Sequence, residues 1–385
     1  MPPISRLSAL LPKMTSVFVL AGEASGDRIG ANLIAGLRRS RPDLSISGVG
    51  GDAMEGEGLS SLFPIDDLAV MGYRDVIVRL PLLLWRARQV VSAVMRQQPG
   101  VVVLIDAQVF SKVVARSLRK RGYGGAIILY VAPAVWAWGA GRARKLAGIF
   151  DEVLSVLPFE PGAMRSLGGP QTAYVGHPAL EKYSMRSVQP AAGPILLLPG
   201  SRRGEITRHL PMMAEVAQRL SAHPSVTGFI ILSTRSQAAR ISRIVAQWPI
   251  PVSVVVTAQD RQSAIEQAIA AVAVSGTVTL ELALAGVPHI LTYVAEGAQV
   301  RMFKRATTRF IGLPNIIAEK EVIPEVLFAH KGEPEKLADA AFALVDAPNE
   351  LASQAEDFRQ IRTLMEKGAP EAPLQDPVER ILARI

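Results

Sequence analysis

A short apolar strand followed by a turn of small residues and a helix recurs along this chain, and this pattern constrains the fold more than any other feature. In the first half, strands are predicted at residues 17–21, 45–49, 101–105, 126–131 and 152–156. In the second half, they are predicted at residues 195–198, 227–232, 252–256, 271–274 and 289–293. Apolar strands that alternate with helices are typical of parallel sheets with crossover helices. The sequence therefore predicts the α/β class, with two doubly wound, Rossmann-like domains.

The chain length supports the same division, because 385 residues are too many for one typical hydrophobic core. We predict an N-terminal domain at 1–184, a C-terminal domain at 192–345 and a helical segment at 350–385 that packs back on the body. Open α/β sheets bind ligands outside the carboxyl ends of their strands. Two such domains facing each other would form a cleft with strand ends on both walls.

The composition excludes several kinds of site. The absence of cysteine excludes disulfides, thiolate zinc sites and a cysteine nucleophile. The 5 histidines show no spacing typical of metal ligands, so no metal is expected. A formal net charge of +8 indicates an anionic partner, such as a nucleic acid, an anionic membrane or a phosphorylated substrate. Residues 1–14 lack the pattern of a signal peptide and no run reads as a membrane span, so we expect a cytoplasmic chain.

Two turns in the second domain combine small residues with hydrogen-bond donors. The segment "LLLPGSRRGEI" places Ser201 and Arg202 at a helix start, where a guanidinium suits a bidentate phosphate contact. The segment "AVAVSGTVTLELALAG" places a Ser-Gly-Thr turn likewise, with Glu281 one turn inside the helix. Free N–H groups and hydroxyls there can bind a diphosphate, and Glu281 can accept hydrogen bonds from ribose hydroxyls. The alternative at both turns is an ordinary capped helix, with solvated arginines at the first.

Acidic residues stand at the strand ends of the first domain. Asp106 ends the apolar run "VVVLID", and a lone carboxylate at that place is a candidate general base. Its alternative is an N-cap for the helix that follows. Glu23 and Asp27 follow the first strand in "AGEASGD", where they suit the helix dipole but would repel phosphate. The sequence therefore places carboxylates at the strand ends of the first domain and anion-binding turns at the strand ends of the second.

The segment 69–91, "AVMGYRDVIVRLPLLLWRARQVV", carries more apolar surface than the single stripe of a buried helix. Excess apolar residues fringed by arginines are typical of an interfacial helix on an anionic bilayer. The alternative is a core helix in a dimer or domain interface, so a homodimer stays open. The predicted membrane-contact residues are Val70, Met71, Val76, Ile77, Leu80, Leu82, Leu83, Leu84 and Trp85.

Several longer segments are unusual enough to be compared with known families. They are "AGEASGD", "AVMGYRDV", "YVAPAVWAW", "LPFE", "YVGHP", "LLPGSRRGEI", "SGTVTLELAL" and "LPNII". In their order and spacing, between residues 16 and 345, they resemble the lipid-A-disaccharide synthase family.

The resemblance implies a metal-independent, inverting glycosyltransferase with the GT-B fold and no cofactor. It implies transfer of 2,3-diacylglucosamine from its UDP form to 2,3-diacylglucosamine 1-phosphate (lipid X), which yields a β-1,6-linked disaccharide and UDP. The implied partners are these two substrates and an anionic membrane surface, with no nucleic acid. The implied location is peripheral, on the inner face of the inner membrane of a Gram-negative bacterium.

The resemblance also implies roles for residues at matching positions. Asp106 would take a proton from the acceptor 6-hydroxyl, and Arg202 would stabilise charge on the leaving UDP. Together with Ser201, the implied UDP-binding residues are Arg202, Ser275, Gly276, Thr277, Glu281 and Asn315. The implied acceptor-side residues are Glu23, Ser25 and Asp27.

The sequence departs from the family pattern around the expected base. "DAQVFS" (106–111) stands where the family usually has Asp-Ala-Pro-(Asp/Glu)-Phe-Asn, so Val109 replaces the second acid and Ser111 the asparagine. A non-catalytic relative that binds sugar nucleotide or lipid therefore stays open, as does a soluble UDP-GlcNAc enzyme of the same fold, such as an epimerase. The Leu-Leu-Leu-Trp run argues against the soluble enzyme, since a soluble substrate needs no apolar docking face. An aromatic content of 5% argues against nucleic-acid binding.

Overall fold

The computed structural model describes residues 16–68, 73–303 and 308–385, excluding the side chains of residues 73–77 and 298. The chain forms two compact units. Unit 1 comprises the residues up to Gly176 together with the C-terminal Gly368–Ile385, and unit 2 comprises His177–Lys367. Each unit has its own six-stranded sheet and its own hydrophobic core.

The sheet of unit 1 is parallel throughout, with the strand order β2-β1-β3-β4-β5-β6. Its strands are β1 (Ser16–Ala21), β2 (Ser45–Val49), β3 (Val101–Ile105), β4 (Ala126–Tyr130), β5 (Glu152–Ser155) and β6 (Gln171–Tyr174). Its helices up to this point are α1 (Ala24–Ser40), α2 (Asp52–Gly56), α3 (Tyr73–Gln97), α4 (Gln108–Lys120), α5 (Gly141–Ala147) and α6 (Glu160–Ser166).

The core of unit 1 forms where α3 packs on the centre of the sheet. Strand β3 is buried along its whole length, as expected for a strand covered on both faces. Val90 and Val94 of α3 share one buried cluster with Val102 and Leu104 of β3. The apolar stripe of α3 therefore fixes the helix against the strand that carries Asp106 at its end.

The sheet of unit 2 is also parallel, with the strand order β12-β11-β10-β7-β8-β9. Its strands are β7 (Gly193–Leu198), β8 (Val226–Leu232), β9 (Ser253–Val255), β10 (Ala270–Val274), β11 (His289–Ala295) and β12 (Glu325–Ala329). Its helices are α7 (Ala179–Lys182), α8 (Arg203–Leu220), α9 (Arg235–Val245), α10 (Ala258–Gln267), α11 (Thr277–Ala285), α12 (Gly297–Phe303), α13 (Leu313–Ala318), α14 (Pro334–Val345) and α15 (Pro348–Lys367).

After α15 the chain returns to unit 1. It forms a short antiparallel pair, β13 (Gly368–Ala369) with β14 (Ala372–Pro373), and ends with α16 (Pro377–Leu382). Arg380 and Arg384 donate hydrogen bonds to the carboxylate of Glu152, which lies in β5 and is fully buried. The segment 350–385 is thus divided between the two units, with α15 in one and α16 in the other.

The predicted α/β architecture is confirmed, and so are all the predicted strands, whose ends shift by no more than two residues. The sequence analysis missed β6 and β12, which are edge strands of the two sheets. Both are partly exposed; β6 (QTAY) has no continuous apolar run, and the apolar run of β12 (EVLFA) is short. Within the described ranges, no helix combines the length and apolarity that crossing a bilayer requires.

A second buried carboxyl group, that of Glu160, ties the tryptophan-containing loop to the start of α6. Trp136 Nε1 donates to Glu160 Oε1 at 3.1 Å, and the Leu157 N–H donates to Oε2 at 3.2 Å. The Trp136 ring stands edge-on to Phe159, with 4.9 Å between ring centroids. Burial raises the pKa of Glu160 to about 8. Glu160 is therefore protonated in the folded protein at neutral pH.

Substitution of Glu152 tests how strongly the C-terminal helix is held. Glu152→Ala is expected to lower the free energy of unfolding by about 3 kcal/mol, because it leaves two arginines without their buried partner. The matched control is Asp43→Ala, which also removes a carboxylate paired with an arginine, but from an exposed pair. We expect Asp43→Ala to change the free energy of unfolding only slightly. Urea unfolding measures both variants, and equal losses would contradict the role given to Glu152.

Substitution of Glu160 tests the pH dependence of stability. Between the ordinary pKa of 4.5 and about 8, the unfolded chain ionises at Glu160 while the folded protein keeps the proton. Unfolding then releases a proton, so this group's contribution to stability falls as pH rises through that window. Glu160→Gln keeps an acceptor for Trp136 and has no proton to lose. Its stability relative to wild type should therefore increase between pH 5 and pH 8 by a few kcal/mol, at about 1.4 kcal/mol per pKa unit.

Chemical denaturation at several pH values measures this difference. Glu55→Gln is the control, because Glu55 is exposed on α2. A constant difference between Glu160→Gln and wild type across the pH range would show that Glu160 ionises normally in the folded protein.

Candidate functional site

The strand order reverses once in each sheet. In unit 2 the chain runs from β7 to β8 and β9 on one side and then returns to β10 on the other side of β7. In unit 1 it runs from β1 to β2 and then returns to β3 on the other side of β1. Ligands of open α/β sheets bind at the carboxyl ends of the two strands that flank such a reversal.

A cavity of about 410 Å³ opens at the reversal in unit 2, and we term it the strand-end pocket. The predicted residues that line it are Ser201, Arg202, Ser275, Gly276, Thr277 and Glu281. Other lining residues include Gly200, Glu205, Ser233, Thr234 and Arg261. The structure thus brings together the predicted UDP-binding residues from β7 and β10, with Asn315 as the exception.

The turn after β7 is shaped by the carboxylate of Glu205. Glu205 Oε2 accepts hydrogen bonds from the backbone N–H groups of Ser201 and Arg202, both at 3.2 Å. Gly200 has φ +98°, and a Cβ there would stand 2.5 Å from Glu205 Oε2, so this position requires glycine. Arg202 Nη1 donates to Glu205 Oε1 at 2.9 Å, while its side chain is 80% exposed. The turn therefore offers a ligand the guanidinium of Arg202, since its backbone donors are engaged by Glu205.

His209 fixes the helix turn that carries Glu205. The Val294 N–H donates to His209 Nε2 at 2.9 Å, so the ring proton lies on Nδ1, which is 2.8 Å from the Glu205 carbonyl oxygen. Burial lowers the pKa of His209, which keeps the ring neutral. The ring therefore ties the first turns of α8 to β11.

The turn after β10 is open toward the pocket. Gly276 and Thr277 are exposed, and α11 begins at Thr277. The Thr279 hydroxyl donates to the Gly276 carbonyl at 2.9 Å, and this hydrogen bond stabilises the turn. The first N–H groups of a helix have no partner within it. This turn therefore combines small residues, a hydroxyl and backbone donors at one edge of the pocket.

Glu281 is already partly engaged. The Tyr183 hydroxyl donates to Glu281 Oε2 at 3.0 Å, and Lys182 Nζ lies 3.6 Å from the same oxygen. Burial, and then the nearby Glu281 carboxylate, raise the pKa of Tyr183, so this hydroxyl stays a donor. Burial lowers the pKa of His177 to about 4, although the Glu281 carboxylate opposes that shift. The contacts with Tyr183 and Lys182 both use Oε2 of Glu281, which leaves Oε1 for a ligand.

Arg261 is a pocket residue that sequence reasoning missed. It lies near the start of α10, and its Nη1 donates to the Ser233 carbonyl at 3.1 Å. It is half-buried, and in the described part of the chain no carboxylate lies within salt-bridge distance of it. A single arginine inside a polar helix gives no sequence signal, because nothing marks the direction in which it points.

Asn315 lies outside the strand-end pocket and is fully buried. Its Nδ2 donates to the Ile323 carbonyl and to Glu325, both at 2.9 Å. Its Oδ1 accepts from the backbone N–H groups of Val322 and Ile323. The amide of Asn315 thus holds the loop between α13 and β12.

In unit 1, Asp106 lies at the reversal between β1 and β3. Asp106 and Ala107 both have left-handed backbones, with φ +53° and +41°, which is a strained arrangement for two residues other than glycine. A Cβ on Gly22, which follows β1, would stand 2.2 Å from the Ala107 Cβ. The two strand ends therefore approach each other closely enough to require glycine on one side.

Ala107, not Asp106, is the N-cap residue of α4, so the N-cap alternative for Asp106 is not what the structure shows. Burial raises the pKa of Asp106, against the effect of a hydrogen bond with the Ala107 backbone. Ser111 is buried, and its hydroxyl donates to the Asp106 carbonyl at 2.8 Å. Val109 is 78% exposed. Ser111 thus supports the strained turn, whereas Val109 points into solvent.

The three predicted acceptor-side residues differ in their surroundings. Glu23 is the N-cap residue of α1, and both it and Ser25 are exposed. Asp27 is buried, and its carboxylate accepts hydrogen bonds from the N–H groups of Gly51, Ala53 and Met54 at 2.7–3.2 Å. Asp27 therefore holds the start of α2, while Glu23 and Ser25 are accessible beside the strand end.

The predicted membrane-contact residues belong to α3 and the stretch before it. Those outside the described residues or side chains are Val70, Met71, Val76 and Ile77. Those that the structure describes are Leu80, Leu82, Leu83, Leu84 and Trp85. Leu80, Leu84 and Trp85 are 47%, 44% and 50% exposed, whereas Leu83 packs against the core. Helix α3 thus presents large apolar side chains to solvent.

The chain resembles known proteins over nearly its whole length. A model of the lipid-A-disaccharide synthetase family matches residues 17–375. A lipid-A-disaccharide synthase of Nitrobacter hamburgensis is 39% identical over 364 residues, which cover 91% of this chain and 91% of that protein.

Two solved structures show the same fold at low sequence identity. A UDP-GlcNAc 2-epimerase from Neisseria meningitidis bound to UDP-GlcNAc has a TM-score of 0.60 at 9% identity, covering 91% of this chain and 97% of that one. The calicheamicin glycosyltransferase CalG4 has a TM-score of 0.57 at 15% identity, covering 97% and 98%. These likenesses show the GT-B fold alone. The family match over nearly the whole chain goes further: this chain belongs to the lipid-A-disaccharide synthase family.

Proposed function

We propose that this chain transfers 2,3-diacylglucosamine from UDP-2,3-diacylglucosamine to 2,3-diacylglucosamine 1-phosphate, forming a β-1,6-linked disaccharide and releasing UDP. Membership of the family makes the chain a glycosyltransferase of lipid A biosynthesis. The observation that carries the finer assignment is the contrast between the two strand-order reversals. One has arginines and a Ser-Gly-Thr turn, and the other has a partly buried carboxyl group with a raised pKa. A leaving diphosphate needs positive charge and hydrogen-bond donors, and an attacking hydroxyl needs a base that accepts its proton.

The donor is proposed to occupy the strand-end pocket of unit 2. Its diphosphate would contact Arg202 and the turn at 275–277, and its ribose hydroxyls would donate to the Oε1 of Glu281. Arg202 has five N–H donors, of which one contacts Glu205, so it can bind a phosphate without leaving that partner. Arg261 adds a second guanidinium in the same pocket. The positive charge would stabilise UDP as it departs.

The acceptor is proposed to bind at the strand ends of unit 1. Asp106 would take the proton of the 6-hydroxyl as that oxygen attacks the anomeric carbon, and the bond from the anomeric carbon to the UDP oxygen would break with its electron pair. The raised pKa of Asp106 makes it a stronger base than an ordinary aspartate. Glu23 and Ser25 follow β1, which pairs with β3, and both are exposed, so they can accept hydrogen bonds from the other sugar hydroxyls.

Two predicted residues are proposed to act indirectly. Asp27 would position the acceptor side by holding α2, because its carboxylate is occupied by backbone N–H groups. Asn315 would support the donor side through the loop that its amide holds.

Both substrates carry acyl chains, so the protein is proposed to work at the inner face of the inner membrane. The exposed apolar residues of α3 would contact the bilayer, and the net charge of +8 would attract it to anionic lipids. A homodimer stays a prediction.

Asp106→Asn tests the proposed base. Asparagine tolerates a left-handed backbone, so the strained turn should survive. Transfer between the two acylated sugars in detergent should fall by about 10²–10⁴-fold, because the general base is lost. Binding of UDP, measured by calorimetry, should not change. In wild type, activity should be lost on acidification at a pH above the ordinary aspartate value of 3.8.

Disaccharide formation by wild type at a rate that Asp106→Asn shares would overturn the role of Asp106. UDP binding by wild type without any disaccharide would instead favour the non-catalytic relative.

Arg202→Ala and Arg203→Ala form a matched pair for the donor site. Both remove one arginine from the start of α8, but only Arg202 lines the strand-end pocket. We expect Arg202→Ala to lower kcat by about 10²–10³-fold and Arg203→Ala to stay close to wild type. Steady-state kinetics with the UDP-sugar measures both. If the two variants lose activity equally, general positive charge rather than a specific contact supports the reaction.

A further inference from the structure

Two further cavities lie along α3 and α4 of unit 1, and we term them the α3–α4 grooves. The larger has a volume of about 560 Å³ and the smaller about 270 Å³. Arg88 and Arg121 line both grooves. The proposed transfer reaction uses neither residue, so these cavities need a separate explanation.

The two helices that form the grooves carry almost only positive charge. Helix α4 has four basic residues and no acidic one, and Asp75 is the single acidic residue of α3. Two of the arginines are neutralised, because Arg86 pairs with Asp67 and Arg119 pairs with Asp151. In the part of the chain that the structure describes, Arg88, Arg96 and Arg121 form no salt bridge. The grooves therefore present unneutralised guanidinium groups.

Each groove also has an apolar side. Leu62 and Trp85 line the larger groove, and Leu84 and Val113 line the smaller one; all of them are exposed. The guanidinium of Arg86 lies 4.3 Å from the Trp85 ring centroid and 4.5 Å from that of Phe63, so the indole is held in place. Each groove thus pairs an exposed apolar wall with the same two arginines.

The position of the grooves excludes the phosphate of the reacting acceptor as the ligand of Arg121. Asp106 precedes the first residue of α4 and Arg121 follows its last, and a helix of 13 residues is about 20 Å long. The phosphate and the 6-hydroxyl of the acceptor stand on one sugar ring, at a much shorter distance. An acceptor at Asp106 therefore cannot place its phosphate at Arg121.

We propose that the α3–α4 grooves bind one anionic diacyl phospholipid of the bilayer. Its phosphate would contact Arg88 and Arg121, and one acyl chain would lie along the apolar wall of each groove. This inference rests on the membrane-facing part of the proposed function and narrows it from a charged surface to a defined lipid site. Guanidinium groups suit this ligand because they bind phosphate oxygens in pairs.

The test compares Arg88→Gln/Arg121→Gln with Arg39→Gln/Arg165→Gln. Both double variants lose two positive charges from unit 1, but Arg39 and Arg165 are exposed on α1 and α6 and line neither groove. Flotation with vesicles of phosphatidylglycerol and phosphatidylcholine measures partitioning, and native mass spectrometry in detergent measures a complex with one added phosphatidylglycerol. We expect the groove variant to partition at least about tenfold more weakly and to lose the complex, since each basic residue near a membrane contributes substantially to binding. The control variant should keep both.

Equal weakening of the two variants, or no discrete lipid complex in wild type, would overturn the inference and leave only general electrostatic attraction. Binding of a single-stranded oligonucleotide that depends on Arg88 and Arg121, without vesicle binding, would overturn it in favour of a nucleic acid. Sugar transfer in detergent separates the two proposals, because the groove variant should keep wild-type transfer. A wild-type protein that transfers sugar but forms no discrete lipid complex would contradict only the lipid inference, whereas absence of transfer in wild type would contradict the proposed function. Thermal unfolding confirms that each variant is folded.

Discussion

The reversal of strand order at the centre of each sheet is the constraint on which the candidate sites depend. Two parallel neighbours whose connections leave in opposite directions must leave their carboxyl ends uncovered. In unit 2 this edge carries Arg202 and the turn at 275–277, and in unit 1 it carries Asp106. The topology therefore decides where chemistry can occur, and the side chains at the uncovered turns decide which chemistry it is.

The two edges use burial in opposite ways. Around the strand-end pocket, buried groups such as His209 are neutral and hold the backbone, while the charge offered to a ligand stays exposed on Arg202. At Asp106 the functional group itself is partly buried, and burial raises its pKa. The first arrangement lets the positive charge adapt to an incoming anion. The second raises proton affinity in a carboxyl group fixed by a strained turn.

The central strands and the residues directly after them could be predicted from the sequence, because a buried parallel strand is a continuous apolar run and the ligand site follows it. The edge strands β6 and β12 were missed, because both are partly exposed and neither carries a long apolar run. Arg261 could not be predicted from the sequence either, because it enters the pocket from a helix. Asp27 shows a further limit: a carboxylate at a helix start looks the same in sequence whether it faces a ligand or, as here, the N–H groups of a neighbouring helix.

The return of the C-terminal residues to unit 1 has a consequence for biosynthesis. Domains generally form in the order in which the ribosome releases them. Unit 2 is complete once Lys367 has emerged, but unit 1 still lacks its last helix at that moment. Until Arg380 and Arg384 arrive, Glu152 has neither of the two charges that neutralise it. The half of the protein that is translated first is therefore the half that reaches its native state last, and a chain cut short within its final turns would leave a finished unit 2 attached to an unfinished unit 1.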